Sequence, residues 1–224
     1  MNIFINETGD NARCSIGILI ITNVQNIPSR NKLLPVRQHL ETAIRSTYSQ
    51  TKRAELKAIR PMDTYVAYYK KFGYTYHVLP QLESIIKGKT IPSGLPLVEA
   101  MFMAELKNSL LTACHDLDKI KIPLRLKIST GKENFTALNG KNVATIPEDF
   151  MITDQEAVIS SILRGPDLRT AITEHTKRVV YMVYAPIGVE KLLVHKHLRD
   201  IETYVHLVSE KAVTSLSQVF DKNE

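Results

Sequence analysis

Ile91-Pro92-Ser93-Gly94-Leu95-Pro96-Leu97-Val98-Glu99 begins the part of the chain that says most about its fold. Three further motifs follow: His115-Asp116-Leu117-Asp118-Lys119-Ile120, Thr130-Gly131-Lys132-Glu133 and Arg164-Gly165-Pro166-Asp167-Leu168-Arg169-Thr170-Ala171-Ile172-Thr173-Glu174-His175-Thr176. Residues 96–110 have apolar side chains at helical spacing, and residues 124–163 contain short strand-like runs separated by turn signals. Helices followed by a dense group of strands favour an α+β fold over an alternating βαβ arrangement.

The flanking segments have equally simple patterns. Residues 15–24 are apolar and β-branched and predict a buried strand. Residues 32–49 place apolar side chains at three- and four-residue steps, which predicts a helix with Pro35 in its first turn. After residue 188 the apolar side chains step in the same way, so we expect helix to the end of the chain.

The bulk composition is that of an ordinary globular protein. The chain has 224 residues, of which 44% are hydrophobic and 23% are charged, so disorder is not expected. No apolar run approaches the ~18 residues of a membrane span. The N-terminal residues 1–7 lack the basic start and the small-residue cleavage site of a signal peptide. We therefore expect a cytoplasmic protein without a membrane span.

The positive charge is concentrated in one segment, from Arg30 to Lys71. This segment has ten basic and three acidic residues, a net charge of +7, whereas the whole chain carries +6. A localised basic region is typical of a polyanion binder, and the alternative is a solvated helical surface. The candidate RNA-binding residues are Arg45, Lys52, Arg53, Lys57, Arg60, Lys70 and Lys71.

Cysteine and histidine usage does not indicate a metal site. Cys14 and Cys114 are too few for a disulfide framework, and we expect Cys114 to be a buried thiol. His195 and His197 are two residues apart, so on a helix they do not face each other. The chain has no phosphate-binding glycine loop and no Gly-x-Ser-x-Gly turn. We expect no metal and no cofactor.

The order and spacing of the four motifs resemble the B3/B4 domain, the module that edits mischarged tRNA in the beta subunit of bacterial phenylalanyl-tRNA synthetase. The closer likeness is to small stand-alone proteins built on the same module. The best-matched segments are Lys87-Gly88-Lys89-Thr90-Ile91-Pro92, Asp116-Leu117-Asp118-Lys119-Ile120 and Thr170-Ala171-Ile172-Thr173-Glu174-His175-Thr176. The resemblance implies a single B3/B4-like domain with a central mixed or antiparallel sheet, flanking helices and a long C-terminal helix. The expected parts of this domain (1–224) are an N-terminal strand with basic helices (1–59), the B3/B4-like core (60–184) and the C-terminal helix (185–224).

The resemblance also implies a ligand pocket between the strands and the helix at 96–110. Its expected residues are Glu99, His115, Asp116, Asp167, Thr170, Thr173 and Thr176. For some of these, the residue type alone favours a structural role equally: Thr173 as a helix cap and Asp116 as a turn residue. The synthetase editing sites use a histidine where this chain has Ala113, and a glutamate where it has Pro166 or Asp167.

Three functions follow from this resemblance. The first is the binding of tRNA or an amino-acid-like ligand. The second is hydrolysis of mischarged aminoacyl-tRNA in trans, so that the enzyme, if it is one, is an aminoacyl-tRNA deacylase. The third is binding of a small molecule or amino acid without any RNA. No motif indicates an oligomeric state.

Overall fold

The computed structural model describes residues 3–8 and 14–221, which form helices and strands in the following order. The helices are α1 (Leu34–Tyr48), α2 (Arg53–Ala58), α3 (Met62–Lys71), α4 (Val78–Ile86), α5 (Pro96–Asn108) and α6 (Lys191–Val208). The strands are β1 (Phe4–Asn6), β2 (Cys14–Thr22), β3 (Thr112–Asp116), β4 (Leu124–Ile128), β5 (Asn134–Thr136), β6 (Asn142–Ala144), β7 (Phe150–Thr153), β8 (Val158–Ser161), β9 (Gly165–Pro166), β10 (Arg178–Pro186) and β11 (Val213–Phe220). Short 3-10 helices cover Pro28–Arg30 and Leu117–Lys119.

The strands form two main sheets and a small hairpin. A four-stranded antiparallel sheet has the order β11-β2-β10-β3, and a five-stranded mixed sheet has the order β1-β4-β7-β8-β9. β5 and β6 pair only with each other. One continuous cluster of buried apolar side chains extends along the chain from Phe4 to Val219. The predicted α+β class, with mixed and antiparallel sheets and a long helix near the C-terminus, is confirmed.

Helix α6 covers one face of the four-stranded sheet, and Gly17 of β2 sets how close it lies. Along α6 the side chains at three- and four-residue steps are buried, from Val194 to Val208. A Cβ atom at Gly17 would lie 2.5 Å from Cγ1 of Val194 and 3.3 Å from Cβ of Val183. Real Cβ atoms do not approach other atoms so closely, so the absence of a side chain at Gly17 lets the helix approach the sheet.

The C-terminal helix is shorter than the sequence pattern predicts. Helix α6 ends at Val208, and residues 213–220 form β11, an edge strand paired with β2. The prediction of helix beyond Val208 is wrong because Ala212 and Leu216 continue the helical spacing only by coincidence. Val213, Thr214 and Val219 are β-branched and suit a strand. Residues 222–224 lie outside the described residues.

Helix α5 is the element that positions the candidate site. It starts with Pro96 in its first turn and ends at Asn108. The next residue, Ser109, has a φ of 56° in the left-handed region, which turns the chain towards β3. Nine of its thirteen residues are buried, because the helix packs against α1, α4, α6 and β3. None of the helices in 3–8 and 14–221 combines the length and apolar character needed to span a bilayer.

Candidate functional site

A cavity of about 460 Å³ opens between α5, β3 and the turn from β8 to β9. Helix α3 and the loop between α3 and α4 add the rings of Tyr69, Tyr74 and His77 to its wall. The residues that line it include Tyr69, His77, Phe102, Glu105, Thr112, Ala113, Cys114, Arg164, Pro166, Ala171 and Tyr184. A cavity of this size with mostly apolar walls is typical of a small-molecule site.

The geometry follows from how the two sheets approach each other. The backbone N–H of Asp116 at the end of β3 donates to the carbonyl of Thr170, 2.8 Å away. Strand β9 belongs to the five-stranded sheet and lies next to β3 of the four-stranded sheet. The sheets therefore meet beside the cavity, and α5 closes it with Val98, Met101, Phe102 and Glu105, which share one helical face.

Glu105 is the acidic side chain in the cavity wall. It is 1% exposed, and its Oε1 accepts a hydrogen bond of 2.8 Å from the backbone N–H of Thr112. Its Oε2 has no hydrogen-bond partner among the described residues. Burial raises the pKa of this carboxyl to about 8, although the bond from Thr112 acts in the opposite direction. Glu105 is not among the residues predicted from the sequence. The pattern that could have identified it is a glutamate within the buried face of an otherwise apolar helix.

Cys114 lies in the same wall and is a buried thiol, as predicted. Burial, and to a smaller extent the nearby Glu105, raise the pKa of this thiol to about 12. A thiol with such a pKa is not a nucleophile at neutral pH. The side chain therefore contributes shape to the cavity.

The seven residues predicted for the ligand pocket do not line this cavity. Three of them bond to one another directly behind it: His115 Nδ1 lies 2.6 Å from Thr170 Oγ1, and Thr170 Oγ1 donates to Asp167 Oδ1. Burial, followed by the charge of Arg169, lowers the pKa of His115 to about 3, so the imidazole is neutral. Burial raises the pKa of Asp167.

The other four predicted residues also make structural contacts. Asp116 accepts hydrogen bonds from the Asp118 N–H and from Thr176 Oγ1, at 3.1 and 2.8 Å. The N–H of Thr173 donates to Thr176 Oγ1 at 3.0 Å. Together with the His115 group, these bonds fix the loop that carries Ala171 into the cavity.

Glu99 is buried on a different face of α5. Its Oε1 pairs with Arg37 Nη1 at 2.9 Å, and its Oε2 accepts from Asn31 Nδ2 at 2.7 Å. The ion pair connects α5 to α1, and the hydrogen bond from Asn31 connects α5 to the loop before α1. A direct role of Glu99, or of the other six residues, in ligand binding stays a prediction.

The predicted RNA-binding residues fall into two groups. Four form ion pairs: Arg45 with Glu41, Arg53 with Glu83, Arg60 with Asp63 and Lys71 with Glu148. Arg45 is half-buried and also donates to the carbonyls of Ile85 and Lys89. Lys52, Lys57 and Lys70 are exposed, and no salt bridge within 3–8 and 14–221 includes them.

The aromatic residues of α3 belong to the core. Tyr65 and Tyr69 are buried, and their hydroxyls donate to the carbonyls of Tyr184 and Ile162. Tyr68 donates to Asp149 Oδ1 at 2.7 Å. These tyrosines are therefore unavailable for stacking on bases at the surface, although Tyr69 reaches the cavity.

Comparison with known proteins adds a family and a fold. Residues 88–212 match the B3/4 domain, so the resemblance read from the motifs is confirmed. A crystallised N-terminal fragment of the phenylalanyl-tRNA synthetase beta-subunit from Pyrococcus horikoshii has a similar fold, with a TM-score of 0.51 and 12% identity. The match covers 96% of this chain and 54% of that fragment, so this chain spans about half of its length. No curated protein matches the chain.

Proposed function

This chain belongs to the B3/4 domain family, and from that premise we propose that its cavity binds an amino acid or an aminoacyl group with an apolar side chain. The observation that carries the proposal is the cavity of about 460 Å³ beside α5 and β3, most of whose wall lies within the matched residues 88–212. Apolar walls favour an apolar side chain, because its transfer from water is worth roughly 25 cal/mol for each Å² buried.

The experiment for this proposal is calorimetric titration with a panel of amino acids. Ala171 is half-buried in the wall, so Ala171→Phe fills the space that the ligand needs. The control is Ala157→Phe, the same substitution at an exposed position away from the cavity. We expect saturable binding to the native protein and to the control, and none to Ala171→Phe. The absence of binding to the native protein for every amino acid tested would contradict the proposal.

A tRNA is the second candidate ligand, with the amino acid as its esterified 3′ end. The supporting observation is that α3 contributes Tyr69 to the cavity while the next residue, Lys70, is exposed. Lys52 and Lys57 are exposed on the neighbouring helix α2 or directly before it. Phosphate contacts from such lysines make affinity fall steeply with salt.

This second proposal is tested by gel shift with total tRNA at low and at physiological salt. The variant replaces Lys52, Lys57 and Lys70 with Glu. The control replaces Lys121, Lys132 and Lys141, which are exposed elsewhere, and changes the net charge equally. We expect the variant to lose at least about tenfold in affinity and the control to retain it. Equal losses in the two proteins indicate a non-specific charge effect and refute the proposed surface.

We propose binding rather than hydrolysis, because the cavity wall does not match the two polar groups that would position the ester and its attacking water in the editing sites. At the place where the editing sites have a histidine, Ala113 lines the cavity without a polar side-chain atom. At the place of the glutamate stands Pro166, which lines the cavity, or Asp167, which does not. Deacylation requires an aligned water and donors for the developing oxyanion. We expect mischarged tyrosyl-tRNA for phenylalanine to be hydrolysed no faster than in buffer. A rate that increases with protein concentration would favour the deacylase.

A further inference from the structure

Glu105 presents a feature that apolar binding does not explain. Its side chain is buried in the wall of the cavity, and Oε2 has no partner in the described part of the chain. A buried carboxyl with one unsatisfied oxygen is costly, because desolvation is not offset by a hydrogen bond. The presence of glutamate therefore indicates that its second oxygen has a partner in the liganded state.

The groups around Glu105 do not supply that partner. The titratable groups that interact with it electrostatically are Tyr65, Tyr69, Tyr76 and Cys114. Burial raises the pKa of each, so all four are neutral near pH 7. The tyrosine hydroxyls already donate to backbone carbonyls.

The remaining ionisable residues in the cavity wall are also accounted for. Arg164 is exposed, and its Nε donates to the carbonyl of Ala144 at 3.1 Å. Burial lowers the pKa of His77, so this imidazole is neutral near pH 7. Neither of these side chains pairs with Glu105, whose Oε2 has no partner among the described residues.

The composition of the wall favours a cation. Tyr69, Phe102 and Tyr184 line the same cavity as Glu105. Aromatic rings and a buried carboxylate are the usual partners of an ammonium group in a protein cavity, since ring quadrupoles attract cations and a buried charge requires a counter-charge. A ligand without a hydrogen-bonding group at this point would leave the carboxyl oxygen unsatisfied.

We propose that Glu105 binds the ammonium group of the ligand, so that the cavity selects ligands carrying a primary amine. This inference rests on the proposed function and adds the orientation of the ligand to it. On binding, the Glu105 carboxyl releases its proton to solvent, and the resulting carboxylate accepts a hydrogen bond from the ammonium. The apolar side chain of the ligand then lies against the rest of the wall.

The test compares each amino acid with its desamino analogue, which has the same side chain and carboxylate but no amine. L-phenylalanine is paired with 3-phenylpropionate, and L-leucine with 4-methylpentanoate. Calorimetric titration at pH 7 should show at least about tenfold weaker binding of the desamino member. Titration in buffers of different ionisation enthalpy should show release of close to one proton for each amino acid bound, because the pKa of about 8 leaves Glu105 mostly protonated when the cavity is empty.

Glu105→Gln provides the matching protein variant. It keeps an oxygen that can accept from the Thr112 N–H and removes the charge. We expect it to reduce amino acid affinity at least about tenfold, to leave the desamino analogue unchanged and to abolish proton release. Circular dichroism checks that the variant is folded, and if it is not, the comparison of the two ligands on the native protein decides.

The outcomes separate the two proposals. Equal affinity of both members of a pair refutes the role of Glu105 and leaves the proposed function intact. If no member of any pair binds, both proposals fail.

Discussion

Replacing Glu105 with glutamine should stabilise the protein at neutral pH, by an amount that depends on pH. The pKa of this carboxyl is 4.5 in its ordinary state and is raised by burial to about 8. A carboxyl with a raised pKa binds its proton more tightly in the folded state, so the folded state loses stability as pH rises from about 4.5 to about 8. At 1.36 kcal/mol for each pKa unit, the cost is about 1 kcal/mol at pH 5 and roughly 3 kcal/mol at pH 7.

The measured quantity is the difference in the free energy of unfolding between Glu105→Gln and the native protein. Urea denaturation followed by circular dichroism at pH 5, 6, 7 and 8 supplies both values under identical conditions. Glutamine retains the acceptor for the Thr112 N–H, so the difference isolates the charge. We expect the difference to increase by about 2.5 kcal/mol in favour of the variant between pH 5 and pH 7.

Glu99→Gln is the matched control, because it makes the same change at a buried carboxyl of the same helix. Glu99 is paired with Arg37, so its removal should lower stability at pH 7. A difference for Glu105→Gln that stays constant with pH would refute the reasoning. It would mean that the carboxyl is solvated or paired, and the inference of an ammonium ligand would lose its basis.

Three other changes test the packing and electrostatics around the site. Gly17→Ala places a methyl group 2.5 Å from a side-chain carbon of α6, so we expect a loss of about 1–3 kcal/mol in urea denaturation, whereas Gly94→Ala, with no atom within 4 Å, should have little effect. Arg37→Ala leaves the buried Glu99 without its cation and should cost about 3 kcal/mol in the same assay; an unchanged midpoint would show that the pair contributes nothing. Burial lowers the pKa of His197 from 6.5 to about 3, so the folded state loses stability as pH falls below 6.5. His197→Gln should therefore reduce the loss of unfolding free energy between pH 7 and pH 5 by about 2 kcal/mol, and equal losses in the two proteins would contradict this.

The elements that the sequence predicts well are those with a long, uniform pattern. Strand β2 is a continuous apolar run, and the helices α1 and α5 have apolar side chains at helical spacing over many residues. β3 was not predicted, because all five of its residues are buried and include His115 and Asp116, so apolar–polar alternation is absent. β11 was assigned to helix, because an edge strand has few buried side chains to fix its period.

The site was harder to predict than the fold. The motif residues His115, Asp116, Thr170 and Thr176 are close together, but they hydrogen-bond in pairs, His115 with Thr170 and Asp116 with Thr176, and do not line the cavity. Their neighbours Ala113, Cys114 and Ala171 form part of the wall. Glu105 could not be identified from the sequence, because a single sequence does not show whether a glutamate in a helix is solvated or buried.

The central claim is that this cavity is the ligand site, and the most direct test is an NMR titration. The protein is labelled with ¹⁵N and titrated with L-phenylalanine and L-leucine while amide chemical shifts are followed. If the cavity binds the ligand, saturable amide chemical-shift changes are concentrated at the cavity wall, in α5, in β3 and in residues 161–172. Shifts confined to the basic segment from Arg30 to Lys71, or no saturable shifts with either ligand, would contradict it.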